Sequence, residues 1–295
     1  MSALRGVIPP MITPFTREGE VDYEGLETLV SYLVERVDGL YICGSYGSGP
    51  LMTVDERKQV AEVCVKTVAH RIPVIVHSGC ASTRETLALT KHAEHIGATG
   101  AAAVGPYYYH HGEKAIVEFY SAILSAVDSA FPVYLYNNPK FSGYEISLHA
   151  VRKLKELGLA GIKDATFDML TTATYMRELK DENFDVVLGT ESMWLPACSL
   201  GATAFIPGLG NAFPELCRTM WQQGVGGNYE QCRKTQFLVN QVRELMYLAG
   251  STQLAVYAML QLRGVLNTYP RAPFLPAGDS EVEQLRESLS ALGVL

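Results

Sequence analysis

Gly158-Leu159-Ala160-Gly161-Ile162-Lys163-Asp164-Ala165-Thr166 is a short apolar run that ends on a lysine and turns polar at once. It has the pattern of a buried β-strand that delivers one amine to the mouth of a barrel. A lysine held there, short of water, loses its proton readily and attacks a ketone carbon as a free amine. The plainer reading is a strand-end lysine whose ammonium snorkels to solvent. An isolated Ile-Lys-Asp favours that plainer reading, so the rest of the chain has to decide.

Outward from this strand, short apolar runs alternate with amphipathic stretches along the chain. Candidate strands lie at 7–12, 40–43, 74–77, 101–104, 133–136, 161–163, 186–188 and 203–206. They are continuous apolar or β-branched runs, as expected of strands covered on both faces. Thr53-Val54-Asp55-Glu56 and Ser82-Thr83-Arg84-Glu85 fit the capping box that opens a helix. After the second box, Leu87, Leu89, Ala93 and Ile96 supply an apolar face and Gly97 a stop.

Eight strands separated by helices predict an α/β fold, a (β/α)8 TIM barrel over residues 1–214. A doubly wound open sheet would place a glycine-rich phosphate loop after its first strand. Here that strand runs into Pro9-Pro10-Met11-Ile12-Thr13-Pro14-Phe15, which is no such loop. Residues 215–295 read as the last barrel helix and a C-terminal helical appendage within the same structural unit. Leu238, Val242, Leu245 and Leu248 form one apolar face there, and Pro270, Pro273 and Pro276 break the pattern before a final helix.

The composition narrows the function classes. The 295 residues are 48% hydrophobic and 19% charged, with a net charge of −7, and no basic stripe meets the needs of a nucleic acid partner. No apolar run approaches the ~20 residues of a membrane span. The opening residues lack the pattern of a signal peptide, so a cytoplasmic protein is expected. Six cysteines are scattered singly, and the His110-His111 pair would point to opposite faces of an extended segment. Neither arrangement suits a metal, and none is expected.

In barrel enzymes the chemistry sits at the C-terminal ends of the strands. Strand two ends in Gly44-Ser45-Tyr46-Gly47-Ser48-Gly49, a loop whose amides can approach an anion closely. Strand four ends in Gly105-Pro106-Tyr107-Tyr108-Tyr109, and strand five in Tyr136-Asn137-Asn138-Pro139, which offers a phenol as proton shuttle. Strand six supplies Lys163, and strand seven ends in Gly189-Thr190-Glu191-Ser192. An amine, a phenol, an amide loop and a carboxylate at one rim suit a 2-oxo acid. The loop would hold its carboxylate while the amine condenses with the neighbouring ketone. No histidine or paired carboxylates fall at these positions, which argues against triad or glycosidase hydrolysis.

These pieces, in this order, resemble the dihydrodipicolinate synthase/N-acetylneuraminate lyase family of pyruvate-dependent class I aldolases over essentially the whole chain. Residues 6–15 match G-x-x-x-x-x-x-T-P-F and residues 44–48 match G-[TS]-x-G-E. Residues 105–108 match G-P-Y-Y, Tyr136-Asn137-x-Pro139 matches Y-N-x-P, and residues 161–166 match G-[IV]-K-[DE]-[AS]-[TS]. Gly201-Ala202-Thr203 resembles the G-A-x-G segment before the last strand. The resemblance implies that Lys163 forms a covalent Schiff base, with no other cofactor, and that Tyr136 relays protons. It implies that Ser45 and Tyr46 hold the pyruvyl carboxylate through their amides. It also implies that Tyr108 crosses a subunit contact to complete a relay with Ser45 and Tyr136, and that Gly189 and Ile206 line the pocket. A homotetramer, a dimer of dimers, is the implied assembly.

The departures bear on the second substrate. Phe141 stands where the family's synthases carry an arginine for the second carboxylate, and a phenyl ring makes no bidentate contact. Pro50, Val54, Arg57 and Ala81 stand where lysine-feedback residues would be expected. Tyr46 replaces a threonine and Ser48 a glutamate. Glu191, Ser192, Ser142 and Asn138 are left as candidates for sugar hydroxyls. These features point to a lyase that cleaves or forms a 2-oxo-3-deoxy sugar acid, releasing pyruvate and an aldehyde. They leave open a sialic acid-like substrate, a shorter hexonate or pentonate, and an aromatic aldehyde. The alternatives are a dihydrodipicolinate synthase-like or dehydratase activity on the same scaffold, and a catalytically silent 2-oxo acid binder.

Overall fold

The structure, a computed structural model, describes residues 4–295; residues 1–3, part of the opening stretch read for a targeting signal, lie outside the described residues. Eight parallel strands form one sheet: β1 (Gly6–Val7), β2 (Leu40–Ile42), β3 (Val74–His77), β4 (Gly100–Val104), β5 (Val133–Asn137), β6 (Gly161–Asp164), β7 (Asp185–Leu188) and β8 (Ala204–Phe205). Consecutive strands from β2 to β8 are neighbours, and β8 pairs with β1. The ring closes just beyond β1 through a parallel bridge between Pro10 and Tyr41. Met11 N–H donates to Tyr41 O at 2.9 Å and Tyr41 N–H to Pro9 O at 3.1 Å. The fold is the (β/α)8 barrel, with helices on its outside.

The expected first strand at 7–12 is reduced to two residues and a bridge. Pro9 and Pro10 have no N–H to give, so a continuous ladder cannot pass through them. The last strand also shortens, although its flanks stay paired: Gly6 N–H donates to Thr203 O at 3.0 Å and Ile206 N–H to Leu188 O at 2.8 Å. One expected capping box is complete, with Thr53 and Glu56 exchanging hydrogen bonds at 2.8 and 3.2 Å at the start of the helix Val54–Val68. The other is half formed: Ser82 accepts from Glu85 N–H at 3.5 Å without the return bond.

The period of two along each strand sorts the side chains. Val7, Ile42, Leu135, Ile162 and Leu188 face outward and join the apolar layer beneath the helices. Ile8, Tyr41, Ile75, Tyr134, Val187 and Ile206 face inward and fill the barrel, as in other packed barrel cores. Lys163 follows outward-facing Ile162 and is in register with Tyr136 and Val187, so it shares their inward parity.

The C-terminal helices Pro214–Val225, Tyr229–Leu245, Thr252–Leu262 and Asp279–Ala291 share the outer apolar layer, which runs without a break from Leu26 through Val239 to Leu260 and Leu285. Polar ties fix them over the barrel mouth. Tyr257 donates to Thr13 O at 3.0 Å, and Arg271 grips Glu56 with two bonds of 2.6 and 2.9 Å. The Arg271 hydrogen bonds hold the Glu56 carboxyl down at about 2. Among the described residues, no helix is long and apolar enough to cross a membrane.

Candidate active site

The strand ends enclose a cavity of about 580 Å³. Lys163 forms part of its floor and is only 5% exposed. Its Nζ lies 4.0 Å from the ring centroids of both Tyr41 and Tyr136. Among the described residues no carboxylate stands within ion-pair distance of it. Burial without a counter-ion disfavours the ammonium and lowers this amine to about 7. A free amine is therefore available at neutral pH. The residue after it explains the polar turn. Asp164 faces out of the barrel and accepts from Thr166 N–H, Thr166 Oγ1 and Thr172 Oγ1, which knots the loop that leaves β6.

Tyr136 also lines the cavity. Asn138 Nδ2 donates to its phenol oxygen at 2.8 Å. Burial raises this phenol, and hydrogen bonds with Asn138 and Ser45 oppose the rise. With Asn138 occupying an oxygen lone pair, the phenolic proton can point to Ser45 or to a reacting group. Neighbouring Asn137 faces outward and donates to the Tyr175 hydroxyl at 3.0 Å, anchoring the end of β5.

The loop after β2 is shaped by strain. Cys43 and Ser48 both hold left-handed backbone, with φ of 57° and 53°. A Cβ at Gly49 would collide with the Cys43 carbonyl, so the loop can curl this tightly only with glycine there. Among the described residues no acceptor meets the N–H of Ser45 or Tyr46. Two consecutive free amides beside the cavity suit a carboxylate. The Tyr46 side chain lines the cavity and runs beneath Gly208, where any Cβ would strike its ring, and its hydroxyl donates to Thr252 Oγ1 at 2.8 Å.

Gly189 and Ile206 form walls of the cavity. A Cβ at Gly189 would lie 2.6 Å from Asp164 O, so this wall must be bare. Phe141 reaches the cavity from the one-turn helix Pro139–Ser142 and is 52% exposed.

Expected hydroxyl partners are turned elsewhere: Ser192 is absent from the cavity wall, its hydroxyl 3.0 Å from Thr190 Oγ1. Glu191 reaches the cavity wall but is 1% exposed and engaged on both oxygens, by Gly208 N–H at 3.2 Å and Arg243 Nη1 at 3.0 Å. Ser142 is absent from the cavity wall, because its hydroxyl is turned onto the carbonyls of Asn138 and Tyr144. Tyr108 stands away from its own chain's cavity, 85% exposed, on a left-handed backbone with φ 83° and packed edge-on to Tyr109 at 5.0 Å. Half-buried Tyr107 is the member of the triplet that packs against Val104, Tyr136 and Ala165.

Sequence reading missed the far wall. Arg243, on the helix Tyr229–Leu245, lines the cavity, pairs with Glu191 and lies 5.7 Å from the Phe167 ring. The pocket therefore does contain an arginine, delivered by the appendage. One signal was available: buried Gln236 and half-buried Arg243, seven residues apart, sit on the same otherwise apolar helix face. Gln236 donates to the backbone carbonyl of Glu191 at 2.9 Å, so the two residues hold Glu191 by its backbone and by its carboxylate. Phe167, with φ 60°, left no such signal.

Comparison with known proteins returns one consistent result. A family model described as the dihydrodipicolinate synthetase family matches residues 3–292. A 4-hydroxy-tetrahydrodipicolinate synthase of Archaeoglobus fulgidus is 30% identical, with 98% of this chain and 99% of that one covered. The crystal structure of dihydrodipicolinate synthase from Aquifex aeolicus superposes with a TM-score of 0.92 at 29% identity, covering 99% of each chain. A prophage protein of the same family from E. coli K12, solved in complex with pyruvate, gives 0.94 at 26% identity, again with 99% of each chain covered.

Proposed function

The chain belongs to the dihydrodipicolinate synthetase family, whose members are carbon–carbon lyases that work through a lysine Schiff base without an external cofactor, and we propose that here Lys163 is that lysine and that the enzyme joins pyruvate to an aldehyde bearing an anionic group. The carrying observation is the buried, uncompensated amine of Lys163 at the floor of the cavity.

Neutral Lys163 adds to C2 of pyruvate, whose carboxylate is held by the free amides of Ser45 and Tyr46. An amine proton passes to the C2 oxygen, which leaves as water with a second proton from the Tyr136 phenol. The resulting iminium draws electrons from C3. Loss of the C3 proton to the Tyr136 phenolate gives the enamine and restores the phenol. The enamine attacks the aldehyde carbon while Tyr136 protonates the aldehyde oxygen; water then releases the product from Lys163. Cleavage is the same sequence reversed.

The nature of the aldehyde follows from the far wall. The polyol reading relied on Glu191, Ser192, Ser142 and Asn138 as hydroxyl partners. Glu191 and Ser142 are engaged elsewhere, Ser192 is absent from the cavity wall, and Asn138 gives its Nδ2 to Tyr136, which leaves only its Oδ1. Arg243 retains donors beyond the one given to Glu191, and Lys140 stands at the same rim. This replaces the guanidinium missing at Phe141 with one from a different element. Those relatives named 4-hydroxy-tetrahydrodipicolinate synthase favour the same synthase-like chemistry. We place Tyr108 in the relay of a second copy within a homotetramer, a role consistent with its exposure on its own chain.

Borohydride reduction in the presence of pyruvate, read by peptide mass spectrometry, should leave a reduced adduct on Lys163; an adduct elsewhere would remove the assignment. Pyruvate consumption should then be faster with a carboxylated aldehyde such as aspartate semialdehyde than with neutral sugars. Faster pyruvate release from 2-oxo-3-deoxy sugar acids would overturn the acceptor reading while leaving Lys163 intact.

A further inference from the structure

Three aromatic rings form the floor beneath Lys163. Tyr41, His77 and Tyr136 lie 6.0–6.2 Å apart by ring centroid, with Tyr136 meeting the other two nearly edge-on. Tyr41 comes from the middle of β2 and faces into the barrel. Its ring tucks beneath Gly44, where a Cβ would stand 2.7 Å from Cε1, so the glycine that opens the amide loop also makes room for it. Nothing in the chemistry described so far uses this residue. It is 2% exposed, does not line the cavity, and its hydroxyl has no hydrogen-bond partner among the described residues.

An unpaired buried hydroxyl is unfavourable, and a phenylalanine would fill the same space without it. The hydroxyl therefore gives no reason for the residue, whereas the ring does. Its centroid is 4.0 Å from Nζ, the same distance as that of Tyr136 on another strand. Two π faces thus meet the nitrogen whose charge changes during the reaction. The other polar groups near this nitrogen do not offset a positive charge. His77 accepts from Val104 N–H through Nε2 at 3.1 Å and is held neutral by burial, and Arg57 behind it is itself a cation.

We propose that Tyr41 supplies a π face that stabilises the positively charged iminium on Lys163 over the neutral amine. The proposal rests on Lys163 being the Schiff-base lysine. The neutral amine that attacks pyruvate gains little from the ring quadrupole. Once the carbinolamine loses water, the nitrogen carries a full positive charge until the C3 proton is removed. A desolvated cation over an aromatic face is stabilised by enough to change an equilibrium about 10- to 30-fold. Because the gain is confined to the charged intermediate, it favours the reaction and not merely the binding of pyruvate.

The test compares Tyr41→Leu with Tyr41→Phe, and then with phenylalanines carrying one, two and three ring fluorines at the same position. The readout is the pyruvate concentration that half-saturates borohydride trapping on Lys163. Tyr41→Leu should require about 10- to 30-fold more pyruvate than Tyr41→Phe, and each added fluorine should weaken trapping further, since fluorine drains the π face without changing the packing much. Equal trapping by the leucine and phenylalanine variants, or a flat fluorine series, overturns the role of Tyr41. If the leucine variant fails to fold by circular dichroism, the fluorine series alone decides. Wild-type protein is the control that separates the two ideas: no adduct on Lys163 there sinks the Schiff-base assignment itself, whereas a normal wild-type adduct with a flat series sinks only the aromatic one.

Discussion

At the near end of the cavity, Lys163, Tyr136 and the Ser45–Tyr46 amides come from the ends of β6, β5 and β2. At the far end, Arg243, Phe167 and Phe141 come from an appended helix, a loop and a single helical turn. The near end is buried and its parity is fixed by strand register. The far end is partly exposed and depends on how helices outside the barrel happen to lie across its mouth. Under the proposed function, the difference separates what every reaction on this scaffold needs from what would select one partner aldehyde. It also makes the two ends separable by mutation.

The largest effect expected is from Lys163→Ala, which should reduce turnover to background and abolish the borohydride adduct. The companion change Lys163→Met should raise stability at neutral pH by about 1–3 kcal/mol in denaturant melts, because an amine with no ionic partner no longer has to be buried. Next is Tyr136→Phe, expected to slow turnover about 10²- to 10⁴-fold while adduct formation persists. Wild-type turnover in that variant would take the proton relay away from Tyr136.

The far end calls for a paired change, because Arg243→Ala alone would leave Glu191 charged and buried. The double variant Arg243→Met/Glu191→Gln should raise KM for a carboxylated aldehyde about 10- to 100-fold and leave pyruvate trapping unchanged. Equal loss for charged and neutral aldehydes would show that Arg243 shapes the wall without reading charge.

Acidity acts on the near end again. Burial lowers the Lys163 amine to about 7, so the neutral form is lost as pH falls through that value. Initial rates of adduct formation should then fall about tenfold per pH unit below 7 and level off above it. A limb placed near 10 would mean that the amine is not desolvated. The smallest effect is expected from Phe141→Leu, within about threefold for a small carboxylated aldehyde, since the exposed ring bears no charge to lose.

The same division explains what could be read from sequence. Lys163 was legible because a strand alternates faces, and Ile162 before it is plainly a core residue. The first strand was overextended because apolarity at 7–12 outweighed the missing N–H groups of Pro9 and Pro10. Glu191 was correctly placed at a strand end, yet its partner lies 52 residues further along. No local pattern reports a contact of that separation. Ser142 sits beside Phe141, but the one-turn helix rotates its hydroxyl onto backbone carbonyls. Tyr108 was found by motif alone, and nothing within one chain shows what its exposed ring meets.

The Tyr46 phenol and the bare backbone of Gly208 occupy one volume between them. Positions 46 and 208 therefore amount to a single choice of size shared by two places in the chain. A small residue at 46 would free space for a side chain at 208, and a side chain at 208 would drive the large ring out over the amides of its own loop. Across related sequences these two sites should vary together, and a substitution at either one should be read as half of a pair.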